Sequence, residues 1–186
     1  WRVAESTRAF SSRKPTDRPF FQPGSMDPML ARALVNLAGA GEGTRLLDPM
    51  CGTGGVLIEA GLVGAYPLGN DAQEKMARGA RRNLSEYVDD FDTWRGDATR
   101  LPLRDDAVDA VVFDAPYGRQ SKIETHTLRD LVTGALSEAR RVSTGRCVLV
   151  ADRDWRDAAE SAGWQVEHRF VRRVHRSLDR YILVLS

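Results

Sequence analysis

Leu46-Leu47-Asp48-Pro49-Met50-Cys51-Gly52-Thr53-Gly54-Gly55 reads as a strand end, a glycine-rich turn and the start of a helix. Two apolar residues close the strand and an acid sits at its tip. The glycines let the chain turn tightly and let a ligand approach the main chain. Val56-Leu57-Ile58-Glu59-Ala60-Gly61 then continues as a helix. The spacing is not the Gly-x-Gly-x-x-Gly of a dinucleotide site, and no Gly-Lys-Ser/Thr grips a phosphate. An acid without a lysine suits a ligand with a cationic amino-acid end, such as S-adenosylmethionine (SAM). The bland alternative is a turn that only packs a helix on a sheet.

Outward from this turn, the pattern alternates between strand and helix. Upstream, Asp27-Pro28 predicts a helix start, with Leu30, Leu34, Leu37 and Ala38 as its apolar face and Gly39 as its stop. Arg45–Leu47 is the first predicted strand, and the helix after the turn runs to about Val63. Ala65–Gly69 predicts a second strand ending at Asn70-Asp71, before a helix over Ala72–Tyr87. Thr93–Arg95 is a short third strand ending at Gly96-Asp97-Ala98, and apolar Val108–Phe113 is a central fourth. The stripe Leu128, Leu131, Val132, Ala135, Leu136, Ala139 predicts a helix. A strand over Arg146–Val150 and a short helix near Asp154 follow. Gln165–Val174 and Arg180–Leu185 predict an antiparallel hairpin at the sheet edge.

This alternation predicts an α/β fold, a doubly wound, mostly parallel sheet with helices on both faces. Such sheets bind ligands beyond the carboxyl ends of their strands. Asp48, Asp71, Asp97 and Asp114 all fall at predicted strand ends. Asp71 follows Asp48 by 23 residues, close to the ~20-residue offset at which an acid meets ribose hydroxyls. Its alternative role is to cap the next helix. An acid placed as Asp97 is can accept from an adenine amino group.

Asp114-Ala115-Pro116-Tyr117 points to chemistry on an amine. An exocyclic amine conjugated with its ring must turn its lone pair toward an incoming methyl group. The Asp114 carboxylate and the Ala115 carbonyl are two acceptors that can draw it there. Pro116 restricts the turn, and Tyr117 offers a face for a base, a contact of roughly 1–3 kcal/mol. Taken alone, the tetrapeptide could also be a simple strand-ending turn.

The 186 residues fit one such domain. Apolar content of 42% and charge of 28% are those of a globular protein, and no apolar run is long enough for a membrane span. Cys51 and Cys147 form no Cys-x-x-Cys pair, and His126, His168 and His175 lack ligand spacing. No metal site is expected, Cys51 is expected to pack rather than react, and a reducing cytoplasm fits. Residues 1–18 and 165–186 each carry +3, leaving −5 between them. Basic ends around an acidic centre suggest polyanion contacts, with solvated surface as the alternative. Residues 1–20 show no periodicity and read as an extended arm. The start at Trp1 suggests a missing upstream module.

Together, Asp48 to Gly55 and Asp114 to Arg119 resemble the class I SAM-dependent amino-methyltransferases. More narrowly, Arg13-Lys14-Pro15, Pro19 to Pro28 and Gly61 to Ala65 resemble the archaeal and eukaryotic tRNA guanine-N2 methyltransferases that modify position ten. The resemblance covers nearly the whole chain. It implies a Rossmann-like methyltransferase domain over residues 25–186, preceded by an arm and cofactor-contact turn over 1–24, and normally by an RNA-binding THUMP region. It implies that Phe21, Gln22, Ser25, Asp48, Met50, Cys51, Gly52, Gly54, Asn70, Asp71, Asp97 and Ala98 hold the cofactor. Asp114, Ala115, Pro116 and Tyr117 would be catalytic, with Tyr117, Gly118 and Arg119 meeting the substrate. tRNA is the implied partner, and some relatives work with a small zinc-binding activator protein. Ala115 departs from the family, which usually has proline there. DNA adenine-N6 methylation, protein glutamine methylation and a non-catalytic subunit remain alternatives.

Overall fold

The computed structural model describes residues 7–117, 127–175 and 178–186. Seven strands form one sheet in the order β3-β2-β1-β4-β5-β7-β6. They are β1 (Arg45–Asp48), β2 (Tyr66–Asp71), β3 (Asp92–Arg95), β4 (Ala110–Asp114), β5 (Cys147–Ala151), β6 (Val166–His175) and β7 (Leu178–Leu185). The first five run parallel, whereas β7 pairs antiparallel with both β5 and β6. The predicted hairpin is therefore present, with β7 inside the sheet and β6 at the edge.

Helices cover both faces because the strands are apolar on both. Leu46, Val112 and Val148 face α1 (Pro28–Leu37), α2 (Gly55–Leu62) and α3 (Glu74–Leu84). Their neighbours Leu47, Phe113 and Leu149 face α4 (Leu128–Val142) and α5 (Arg156–Ser161). Successive strand residues point to opposite faces, so each of these pairs feeds both cores. At α1 the reading of Asp27-Pro28 holds: the Asp27 carboxylate accepts from the Met29 and Leu30 amides, and Pro28 opens the helix. Asp71 does not cap a helix starting at Ala72. That helix starts two residues later, with Gln73 at its cap position.

The N-terminal segment is not an extended arm. It forms 3-10 turns over Thr7–Arg13 and Pro15–Asp17, the first packed on α1 and tied to α2 through Arg13, and Phe20 beyond them meets α3. Arg13 Nε and Nη2 donate to the two oxygens of Glu59 at 2.5 and 3.1 Å, and Arg32 bonds the same carboxylate at 3.0 Å. Glu59 is completely buried, as is Asn83. Asn83 accepts from the Phe20 amide and donates to the Phe20 and Thr53 carbonyls. Arg13 and Arg18 are thus buried structural cations rather than polyanion contacts. Phe20 lies over Gly79, where a Cβ would fall inside its ring. Ala is the better helix former, yet Gly79→Ala is expected to destabilise the fold by about 1–3 kcal/mol through overpacking. The shift of the urea midpoint measures it.

Candidate active site

A cleft of about 210 Å³ opens beyond the carboxyl ends of β1 and β4. Its wall on one side is the turn Gln22-Pro23-Gly24-Ser25, closed by the Ser25 amide on the Gln22 carbonyl at 3.2 Å. Gly24 has φ +87°, the left-handed conformation a type II turn needs after Pro23. The Thr53 hydroxyl joins this wall to the glycine loop through Ser25 Oγ at 3.1 Å. The floor is Asp48, Met50, Cys51 and Gly52, and Met76 comes from α3. Gly52 has φ +53°, and a Cβ there would meet nothing within 4 Å. That open space is where a ligand can lie against the main chain.

The charges lining the cleft are all of one sign. Asp48 and Asp114 line it and no lysine or arginine does. Asp48 is 3% exposed and accepts only the Met50 amide, at 3.0 Å, among the described hydrogen bonds. Burial pushes its carboxyl well above the usual range, and the nearby charges of Asp71 and Asp114 push the same way. Such a group gains most from a cationic ligand. Burial, Asp48 and Asp71 likewise hold the Cys51 thiol well above its usual range, so it remains a protonated thiol that packs.

Asp71 stands beside the cleft. Its Oδ2 accepts from the Gly52 amide and its Oδ1 from the Gln73 amide, both at 2.9 Å. Asn70, one of the expected cofactor contacts, is fully buried. Its side-chain amide donates to the Pro49 and Gly96 carbonyls, and its main-chain carbonyl accepts from the Cys51 amide. It clamps the loops after β1 and β3 together. Asp97 Oδ1 accepts from the Thr99 amide and hydroxyl at 2.8 Å, and Ala98 belongs to the second core. Phe21 is 47% exposed, and neither it nor Gly54 lines the cleft. Gly54 caps α2 at φ +79° against Ala80. Gly118, Arg119 and His126 lie outside the described residues.

At the tip of β4 the Tyr117 hydroxyl donates to Asp114 Oδ1 at 2.7 Å and accepts from Arg180 Nε at 2.9 Å. Burial pushes Asp114 up to about 6, opposed by the Tyr117 hydrogen bond and the Arg180 charge. Burial and the adjacent carboxylate push Tyr117 upward as well, so it remains a phenol. Pro116 and the buried Ala115 complete the tip, and the Ala115 amide is tied to the Val150 carbonyl at 2.8 Å. Of these tip residues Asp114 lines the cleft, and the Tyr117 hydroxyl stands behind it, bonded to its carboxylate. Met76 and Arg180 were not singled out from the sequence: methionine carries no motif, and Arg180 was one charge in a basic run. Among the described residues, no group of three or more His, Cys, Asp or Glu is placed to hold a metal ion.

Residues 15–182 match the model of the UPF0020 family, described as the RMKL-like methyltransferase domain. The chain belongs to this family. It is 41% identical over 97% of its length to the tRNA (guanine(10)-N2)-dimethyltransferase of Methanothermobacter thermautotrophicus, and 40% identical over 96% to that of Pyrococcus abyssi. It spans 55% of each of these relatives. The crystal structure of TrmN from Thermus thermophilus superposes with a TM-score of 0.70 at 26% identity, over 88% of this chain and 50% of that one. As a methyltransferase domain, the chain has the fold read from its sequence, a mostly parallel sheet with a C-terminal antiparallel hairpin. Among the described residues no helix is long and apolar enough to cross a membrane.

Proposed function

We propose that this methyltransferase domain transfers a methyl group from SAM to the exocyclic N2 amine of guanine in tRNA, once or twice, in the cytoplasm. The observation that carries the reading is a single cleft lined by both Asp48 and Asp114, with no cation of its own. It rejects phosphates and favours a sulfonium and an ammonium. The open face of Gly52 and the paired carboxylates fit SAM. Gln22, Ser25, Asp48, Met50, Cys51 and Gly52 would hold it, with Asp71 on the ribose side. The names of the tRNA-modifying relatives support guanine as the acceptor.

When bound, SAM supplies an electrophilic methyl group on sulfur. Everything else falls to the tip. Asp114 and the Ala115 carbonyl accept the two amine hydrogens and draw the nitrogen lone pair out of conjugation. Tyr117 presents its ring to the base. An amine that gained this methyl group would become cationic. Asp114, poised at about 6, then accepts a proton from it.

Asp71→Ala is expected to weaken SAM by tenfold or more, because hydrogen bonds to charged groups contribute about 1.5–3 kcal/mol. Unchanged affinity by calorimetry would remove Asp71 from the ribose site. The reaction itself is tested with labelled SAM and unmodified tRNA, digested to nucleosides for mass spectrometry. N2-methylguanosine and its dimethyl form are expected. The assay is run with and without a fused upstream RNA-binding region and with and without a small zinc-binding activator. Absence of methylguanosine in every arm, or N6-methyladenine from a DNA substrate, would overturn the assignment.

A further inference from the structure

We propose that Arg180 is the positioning residue of the methyl-accepting tip: it fixes the Tyr117 hydroxyl, and through it the tyrosine ring and the Asp114 carboxylate. This inference rests on the function proposed for the tip. Its basis is the direction of two hydrogen bonds. A guanidinium carries only donors, so the phenol oxygen must accept from Arg180 Nε at 2.9 Å. A phenol has one hydrogen, and with Arg180 in place that hydrogen is directed to Asp114 Oδ1 at 2.7 Å. The two contacts leave the hydroxyl no freedom to turn. Held at its far end by the hydroxyl and at its near end by the main chain after Pro116, the ring keeps one orientation beside the carboxylate.

Topology explains how a residue 66 positions later in the chain reaches the tip. β7 runs against its neighbour β5, so its first residues lie where β4 and β5 end. In register, Tyr181 stands opposite Ala151, the last residue of β5, and Arg180 falls just beyond it. The guanidinium carbon is 5.8 Å from the centroid of the Tyr117 ring. Across the hairpin, Arg180 is paired with Arg172. Directly opposed like charges destabilise a sheet, and the Tyr117–Asp114 contact supplies a compensating anion on one side.

The groups facing Asp114 give Arg180 a second consequence. Tyr117 faces it from the tip, Asp48 across the cleft from β1, Asp152 from the loop after β5, and Arg180 from β7. Among these described groups Arg180 is the one positive charge. With the Tyr117 hydrogen bond, it therefore favours the ionised acceptor against burial and the charge of Asp152.

The test compares Arg180→Gln, Arg180→Lys, Tyr117→Phe and the Tyr117→Phe/Arg180→Gln double variant of the purified protein. Arg180→Gln is expected to lower kcat by about 10- to 100-fold, the range for a reacting group held out of place. The KM for SAM should stay unchanged and the acid limb should move to higher pH. Arg180→Lys, which keeps the charge, should restore part of the pH shift. In the Tyr117→Phe background the added Arg180→Gln change should have much less effect on kcat. Equal losses in both backgrounds, or a loss confined to the KM for RNA with a changed salt dependence, would make Arg180 a phosphate contact and overturn the proposal. Should the parent protein transfer no methyl group, the function proposed for the tip fails, and carbon NMR titration of Asp114 in the ligand-free protein still decides the positioning role. Arg180→Gln should raise the Asp114 titration by more in the parent than in the Tyr117→Phe background. Equal shifts, or none, overturn it.

Discussion

Asp114→Ala is expected to reduce methyl transfer by about 10³-fold, within the range for a positioned acid–base group, while SAM affinity stays nearly unchanged. The variant loses the acceptor that turns the amine and the group that takes up its proton. It also frees the Tyr117 hydroxyl, whose donor bond at 2.7 Å has no other described acceptor. Single-turnover rates and calorimetry on the same preparation separate the two quantities, and a large loss of SAM affinity would contradict the assigned role. In the parent protein, the ionised carboxylate is the active form. The rate should therefore fall as pH drops through about 6 and level off above it. Stability runs the other way. The folded state binds the Asp114 proton more tightly than the unfolded chain does, so stability from this group is lost as pH rises from the ordinary carboxylate range through about 6. Asp114→Asn, which keeps an acceptor oxygen but takes up no proton, should gain in melting temperature relative to the parent as pH is raised across that window.

Glu59→Gln is expected to destabilise the domain by about 3–5 kcal/mol, the range for breaking a buried ion pair. Glu59 is fully buried, and Arg13 and Arg32 both bond to it. Arg18, 5% exposed, lies nearby, with two terminal nitrogens that have no described hydrogen-bond partner, and its own pKa is lowered by burial. Removing the carboxylate takes away the buried anion that Arg13 and Arg32 share, beside a third guanidinium, Arg18, that is itself out of water. The segment they anchor leads directly into the Gln22–Ser25 wall, so SAM affinity should fall with stability. A lower urea midpoint with unchanged slope, and faster tryptic cleavage after Arg13, are the readouts. Asp105→Ala is the contrast. It removes an acid that is 74% exposed from Arg141, and an exposed pair of this kind is worth about 0–1 kcal/mol.

Glu59 also shows where the sequence ceased to be legible. The strand, glycine turn and helix at Leu46–Gly61 were read correctly because apolar periodicity and backbone-permissive glycines are local properties. The strand end at Asp114 was readable for the same reason. The partner of a buried charge is not local. Arg13 and Arg18 looked like a basic arm for RNA because Glu59 sits 46 residues beyond Arg13, inside an otherwise apolar helix turn. Glu59 itself was the signal: an acid amid Val56-Leu57-Ile58 and Ala60 demands a cation. At Asn70 and Asp97 the sequence leaves two roles open, because loop clamping and Asx turns use the same residue types at strand ends as ligand contacts do. Arg180 could not be placed without the register of β7 on β5.

The interior position of β7 has a consequence for how the chain is made. β6 emerges during synthesis before β7, yet its only described sheet neighbour is β7. Until residues 178–185 follow, β6 has no edge to join, and Cys147–Ala151, each residue at most 2% exposed in the finished sheet, presents a bare apolar edge. An open strand of this composition is a template for pairing with another chain. Whenever the parallel half assembles before β7 docks, it carries an open apolar edge, and β7 is the strand that closes it.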